Sequence, residues 1–201
     1  MKKLLFILAF TLLSFTTFSQ VKVRPGLRLG ANMSKISNSY TEDYKSGLNA
    51  SIFLNVRFSN FYALQPEIFY SNQGGKGSIV GVEDFSVDYV GIAIANHFFV
   101  IENLGLHFIV GPSLDLNFDD NWVNLINDDS DLDITPLDFS FFGGIGYEFP
   151  FGLSIEARYK QGLIDIDAFD DYYNNDGFYY ENDENQLNSV IQIGVAYKFS
   201  F

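Results

Sequence analysis

The chain has 201 residues, room for one domain or a small barrel, and its formal net charge of −13 excludes nucleic-acid binding, which needs basic surface. Hydrophobic residues at 47% and aromatics at 17% exclude an acidic disordered chain, and the absence of cysteine excludes disulfides as its source of rigidity.

Lys2-Lys3 precede an apolar run from Leu4, and Thr17-Phe18-Ser19 puts small residues at positions −3 and −1 of a cleavage site. Residues 1–19 therefore read as a cleavable signal peptide and 20–201 as the mature domain. Losing Lys2 and Lys3, with no acidic residue before Gln20, takes the net charge from −13 to −15. No cysteine follows the apolar run to carry a lipid anchor. After Gln20 no run approaches the roughly 18 apolar residues of a membrane helix. A membrane crossing by this chain must use strands.

Eight segments alternate large apolar with polar or small side chains, the period of a strand. The first, about Val23 to Ile36, sets Leu27, Leu29, Ala31 and Met33 against Arg28, Gly30, Asn32 and Ser34. The second, about Ser46 to Phe58, sets Ala50, Ile52, Leu54, Val56 and Phe58 against Asn49, Ser51, Asn55 and Arg57. A tight turn at Ser59-Asn60 leads to the third, Phe61 to Ser71, with Tyr62, Leu64, Ile68 and Tyr70 against Gln65 and Glu67. The fourth, about Phe85 to Phe99, is the least clean, since Val90, Ile92 and Ile94 alternate with Gly91, Ala93 and Ala95. The fifth, Gly105 to Phe118, opposes Leu106, Phe108, Val110, Leu114 and Leu116 to His107, Gly111, Ser113 and Asp115.

The sixth and seventh form a hairpin about Pro150-Phe151-Gly152. Phe139, Phe141, Ile145, Tyr147 and Phe149 oppose Asp138, Ser140, Gly144, Gly146 and Glu148; then Leu153, Ile155, Ala157 and Tyr159 oppose Ser154, Glu156, Arg158 and Lys160. The eighth, Leu187 to Phe201, carries Ile191, Ile193, Val195, Tyr197, Phe199 and Phe201 against Gln192, Gly194, Ala196 and Lys198.

Connections after the second, fourth and sixth segments are short, whereas the others read as roughly ten to twenty polar residues, as in an outer-membrane barrel with periplasmic turns and external loops. The fold class is all-β: a closed antiparallel up-and-down transmembrane barrel of eight strands, apolar side to lipid and charged side to the lumen. At that size side chains fill the interior. The rival is a soluble lipocalin-like barrel, which alternates in the same way with its apolar face inward. The orientations of Ile155, Val195, Glu156 and Lys198 decide between them.

Several of these stretches carry a family resemblance. Residues 156–166 (EARYKQGLIDI), 64–71 (LQPEIFYS), Gly144 to Phe149, the opening GLRLGANMSKI and the closing Phe201 resemble, in the same order, the PorT-like outer-membrane β-barrel family of the Bacteroides-type envelope. The resemblance covers nearly all of the mature chain and implies an eight-stranded barrel in the outer membrane. The namesake belongs to a secretion apparatus, and an accessory of such an apparatus is one role the resemblance allows.

Inward charges are the most informative residues. Arg28, Arg57, Glu67, Glu148, Glu156, Arg158, Lys160 and Lys198 are expected to form ion-pair networks, because buried charge is costly unless paired. They make either a sealed polar plug, the favoured reading, or a gated path for small solutes. His97 and His107 are the only histidines. His107 shares its face with Ser113 and Asp115, but at strand rise these lie roughly 20 Å away, so a hydrolytic site would need partners from neighbouring strands.

No metal, cofactor or catalytic site is expected. Asp129, Asp131 and Asp133 have calcium-like spacing, yet Ile134 stands where an EF-hand needs glycine and Ser140 where it needs glutamate. Gly74-Gly75-Lys76-Gly77 lacks the serine or threonine and the helix of a phosphate loop. Tyr172-Tyr173 and Phe178-Tyr179-Tyr180 either pack on the barrel rim or contact protein or glycan. Phe58, Tyr62, Phe99, Phe149, Phe151, Tyr197 and Phe199 are expected in interfacial girdles. The expected partner is outer-membrane lipid and the expected role a non-enzymatic one in envelope structure or surface interaction, with a narrow channel and a lipid-modifying enzyme as alternatives.

Overall fold

A computed structural model describes residues 21–37, 43–76, 85–101, 104–118, 137–165, 171–173, 179–181 and 185–200. The expected signal peptide, the run Asp129–Asp133, Gly77, Phe178 and Phe201 lie outside them. The strands are β1 (Lys22–Ile36), β2 (Asp43–Arg57), β3 (Tyr62–Lys76), β4 (Phe85–Phe99), β5 (Leu106–Asn117), β6 (Leu137–Glu148), β7 (Leu153–Gly162), β8 (Asp171–Tyr173), β9 (Tyr179–Glu181) and β10 (Asn188–Lys198). No helix among the described residues is long and apolar enough to cross a membrane.

Eight strands close into one barrel in the order β1-β10-β7-β6-β5-β4-β3-β2, while β8 and β9 pair only with each other. Every pairing around the barrel is antiparallel, and the seam runs from Gly26 opposite Lys198 to Ile36 opposite Asn188. Closure removes the unpaired edges that hydrocarbon would not tolerate.

The hairpins form where the turn residues lie. At β6–β7 the Gly152 amide donates to the Phe149 carbonyl at 3.0 Å, and Gly152 has φ +93°, with Pro150 pre-set for the turn's second position. Tyr62 N–H donates to Ser59 Oγ at 3.1 Å in the β2–β3 turn. At β4–β5, Gly105 has φ +79°, and a Cβ there would stand 2.0 Å from the Glu148 carbonyl oxygen. Gly105→Ala is expected to cost about 1–3 kcal/mol in the urea-dependent folding of the barrel, from backbone strain and the clash with Glu148 together.

Two loops are shorter than the sequence suggests. β2 begins at Asp43 and β3 continues to Lys76, so the first two long-side connections shrink to residues 37–42 and 77–84. Asp43 pairs with Lys76 and Tyr44 with Gly75 beyond a register irregularity between Tyr44 and Asn49, and opposite charges across the ladder extend the hairpin past its apolar part. The connections at residues 118–136 and 163–187 remain long.

Side-chain orientation settles which face meets lipid. Ile155 and Val195 are 49% and 48% exposed on the outside, whereas Glu156 and Lys198 are 2% and 0% exposed within. The lipocalin-like alternative requires the reverse.

The lumen is less uniformly polar than expected. Phe69, Ala93, Ala95, Ile109 and Phe142 form an apolar cluster inside. The small inner face of β4 explains it: a Cβ on Gly91 would lie 2.5 Å from Phe69 Cζ, and one on Gly111 of β5 would lie 3.0 Å from Phe142 Cζ. Missing side chains on β4 and β5 thus leave the volume that two phenylalanines fill. Phe99 also turns inward, being 5% exposed, while Phe98 faces out at 45%. The expected place for Phe99 in the girdle is therefore corrected to the lumen, as its shared parity with Ala95 and His97 requires. Phe58, Tyr62, Phe98, Tyr147, Phe149, Phe151, Tyr197 and Phe199 supply the aromatic contacts near the short-turn end.

Candidate functional site: the charged barrel lumen

All eight inward charges of the sequence analysis engage in ion pairs, in three groups. At mid-lumen, Arg158 on β7 crosses to β3 and grips Glu67 with both ends of its guanidinium, Nη2 to Oε1 at 2.8 Å and Nη1 to Oε2 at 3.1 Å. The same Nη2 donates to Glu156 Oε2 at 2.7 Å. Arg28 Nη2 lies 3.5 Å from Glu67 Oε2 and its Nη1 4.0 Å from Glu156 Oε2, completing two cations against two anions. Asn55 donates to Gln65, and Gln65 to Glu67 Oε1, each at 2.9 Å, so the network is continuous from β2 to β7. Planar two-point contacts of this kind are what arginine provides and lysine does not.

Toward the long loops, Lys160 Nζ donates to Asp115 Oδ1 at 2.5 Å while Ser140 Oγ donates to Asp115 Oδ2 at 2.8 Å. The Lys160 ammonium also lies 4.7 Å above the Phe69 ring, and the Arg158 guanidinium 5.2 Å from that of Phe142. Phenylalanine faces therefore help enclose both cations. Further out, Asn49 donates to Asn32, Asn32 to Ser71, and Gln73 receives a bond from Asn188.

At the short-turn end, Glu148 accepts from Arg24 Nη2 at 2.7 Å and Lys198 Nζ at 2.6 Å, with Arg57 Nη1 at 3.9 Å. Arg57 is the most exposed of the eight and stacks 3.9 Å over the Phe99 ring. Arg24, Arg57 and Glu148 border an open vestibule of about 740 Å³, which Lys22, Phe58 and Gly105 also line. In an outer-membrane barrel this is the periplasmic mouth.

Arg24 and Asp115 are the functional charges that the sequence reading left out of its set. Arg24 has the parity of Arg28, but Pro25-Gly26 breaks the visible alternation between them. Asp115 stands on the inward face of β5 with its carboxylate engaged by Lys160 and Ser140 and not by His107.

The histidines find partners on other strands, as a site there would require. His97 on β4 and His107 on β5 lie with ring centroids 4.9 Å apart, and their ligating nitrogens and a Glu156 carboxylate oxygen all fall within 4.8 Å of one another. All three residues are buried. Asp115 is not part of this cluster and pairs with Lys160 and Ser140 instead. His107 Nδ1 pairs with the Gly105 carbonyl at 2.9 Å. As that oxygen can only accept, Nδ1 carries the proton and Nε2 is left with its lone pair free. Among the described residues, His107 Nε2, both nitrogens of His97 and Glu156 Oε1 find no hydrogen-bond partner. Gly146 makes the space: a Cβ there would stand 2.5 Å from His107 Nε2.

Residues 18–168 match the outer membrane protein β-barrel domain family. The chain belongs to that family. It is an outer-membrane β-barrel protein, as its fold and the orientation of its faces require. No curated protein matches the sequence. Among solved structures, Neisserial surface protein A is similar at 16% identity over 87% of this chain and 97% of that one, with a TM-score of 0.55. Ail of Yersinia pestis, solved with the heparin analogue sucrose octasulfate, aligns over 89% of this chain and 99% of its own at 13% identity and TM-score 0.47. The outer membrane enzyme PagL aligns over 86% and 99% at 12% identity and TM-score 0.42. At these identities the likeness is one of fold.

Proposed function

We propose that this barrel is a sealed, non-enzymatic envelope protein of the PorT-like group, holding its loops at the cell surface for structural or interaction roles. One observation carries the reading. The gap left beside Arg28, Glu67, Phe142, Arg158 and Lys160 at mid-lumen is about 10 Å³, no more than one water molecule needs. So small a gap among hydrogen-bonded charges and two phenylalanine rings supports a lumen closed to ions and solutes.

Membership of the PorT-like group rests on the ordered motifs from GLRLGANMSKI to the terminal aromatic. A non-enzymatic role is supported by the position of the histidines. His97, His107 and Glu156 sit inside the barrel wall and not on its lipid face, so acyl chains or head groups in the bilayer do not reach them. The connections at residues 118–136 and 163–187 hold much of the acid, which supports a role in surface interaction.

Purified barrel in planar bilayers is expected to show no discrete conductance under applied voltage. Regular unitary steps whose ion selectivity changes on charge reversal at Arg158 or Glu67 would instead make it a channel.

A further inference from the structure

We propose that His97, His107 and Glu156 form an internal site for one divalent transition ion of the zinc class. The donor set is two imidazoles and a carboxylate, which suits zinc, and the three side chains come from β4, β5 and β7. Their ligating atoms lie within 4.8 Å of one another, against the roughly 3.4 Å edge of a tetrahedral zinc site with bonds of about 2.1 Å. Binding would draw the two rings and the carboxylate together by that difference.

The surroundings have the features that distinguish a built site from a chance cluster. Nδ1–H of His107 is held by the Gly105 carbonyl, so its Nε2 presents a lone pair, the usual outer bond of a metal-ligating histidine. Glu156 gives only Oε2 to Arg158, at 2.7 Å from Nη2 and 3.2 Å from Nε, and Oε1 is left unengaged. Arg158 thus orients the carboxylate without occupying the oxygen a cation would take. Four buried acceptor or donor atoms without partners in one place are costly, and an ion would satisfy three of them. The mid-lumen arginines are neutralised by Glu67 and Glu156, so a divalent ion does not meet an unbalanced positive field.

There is also a way in. Phe99 and Gly105 line the vestibule, and the Phe99 ring packs 4.8 Å from that of His107. Phe99 thus joins the periplasmic mouth to the ligand cluster, with the vestibule on one side of its contacts and His107 on the other. Bound there, the ion would tie the directly paired β4 and β5 to β7, which is joined to β5 only through β6.

The test uses untagged full-length mature barrel in detergent, stripped with a chelator and titrated with Co²⁺ and then Zn²⁺. Wild type is expected to take up one equivalent, to develop a visible d–d band with Co²⁺ that Zn²⁺ displaces, and to unfold at a higher temperature when loaded. His97→Phe and His107→Phe should each weaken binding by at least about tenfold and abolish the band. Glu156 also anchors Arg158, so Glu156→Gln risks the fold; the histidine variants carry the test, and heat-modifiable gel migration reports that they are folded. The proposal fails if folded wild type takes up no stoichiometric ion. It fails equally if the double histidine variant binds as wild type does, which would assign the ions to the acidic loops.

Discussion

Replacing Arg158 with methionine is expected to destabilise the folded barrel by about 3–5 kcal/mol, read from urea titrations of folding into lipid vesicles. The magnitude comes from what is left behind and not from the strength of the bonds removed. Arg158 answers two carboxylates, Glu67 and Glu156, and without it Arg28 alone faces both. One buried negative charge is then uncompensated in a space too small to admit more than one water. Glu67→Gln in the Arg158→Met background returns the cluster to one cation and one anion, and most of the loss should be recovered. A double-mutant cycle would give the coupling directly. A cost below about 1 kcal/mol for Arg158→Met would mean that water reaches these groups, and the sealed lumen would give way to an aqueous path.

The same cluster shows how far the sequence could be read. Alternation on β7 and β10 is unbroken, so the sides of Glu156, Arg158, Lys160 and Lys198 follow from parity alone. The partner of each does not, because Arg158 meets Glu67 across the lumen, between strands that are far apart in both sequence and sheet order. Strand tilt and stagger decide which inward residues share a level, and neither leaves a mark on a single strand's pattern. Arg24 was legible by parity but hidden behind Pro25-Gly26. Phe69 and Phe142 were on inward positions throughout; an aromatic among polar neighbours looks like an exception until Gly91 and Gly111 are seen to make room for it. The histidine cluster is of the same kind. His97 and His107 stand on adjacent strands in a diagonal register, Phe99 being opposite His107 and Ile109 opposite His97, and Glu156 arrives from beyond β6. Gly146 opposite Glu156 was the one sequence signal for it, a missing side chain between two functional ones.

Ile193→Arg is the second large effect expected, a cost of about 2–4 kcal/mol in the same folding measurement. Ile193 faces outward near the middle of β10, with Ala31 and Ala157 opposite it on the two neighbouring strands. An arginine there has no carboxylate beside it and stands four residues from Tyr197 in the aromatic zone, so its guanidinium must be dragged toward the head groups or desolvated. Val23→Arg is the matched control. Val23 is outward too, but it lies one residue from the Lys22–Arg57 pair that ends the ladder at the periplasmic mouth, and the cost there should fall to about 0–1 kcal/mol. The difference between the two positions should widen in lipids with longer chains, since thicker hydrocarbon leaves Ile193→Arg further from water while Val23→Arg stays near the interface. Equal costs at both sites, insensitive to chain length, would mean that no hydrocarbon slab surrounds the outer face, and the assignment of apolar side chains to lipid would have to be abandoned.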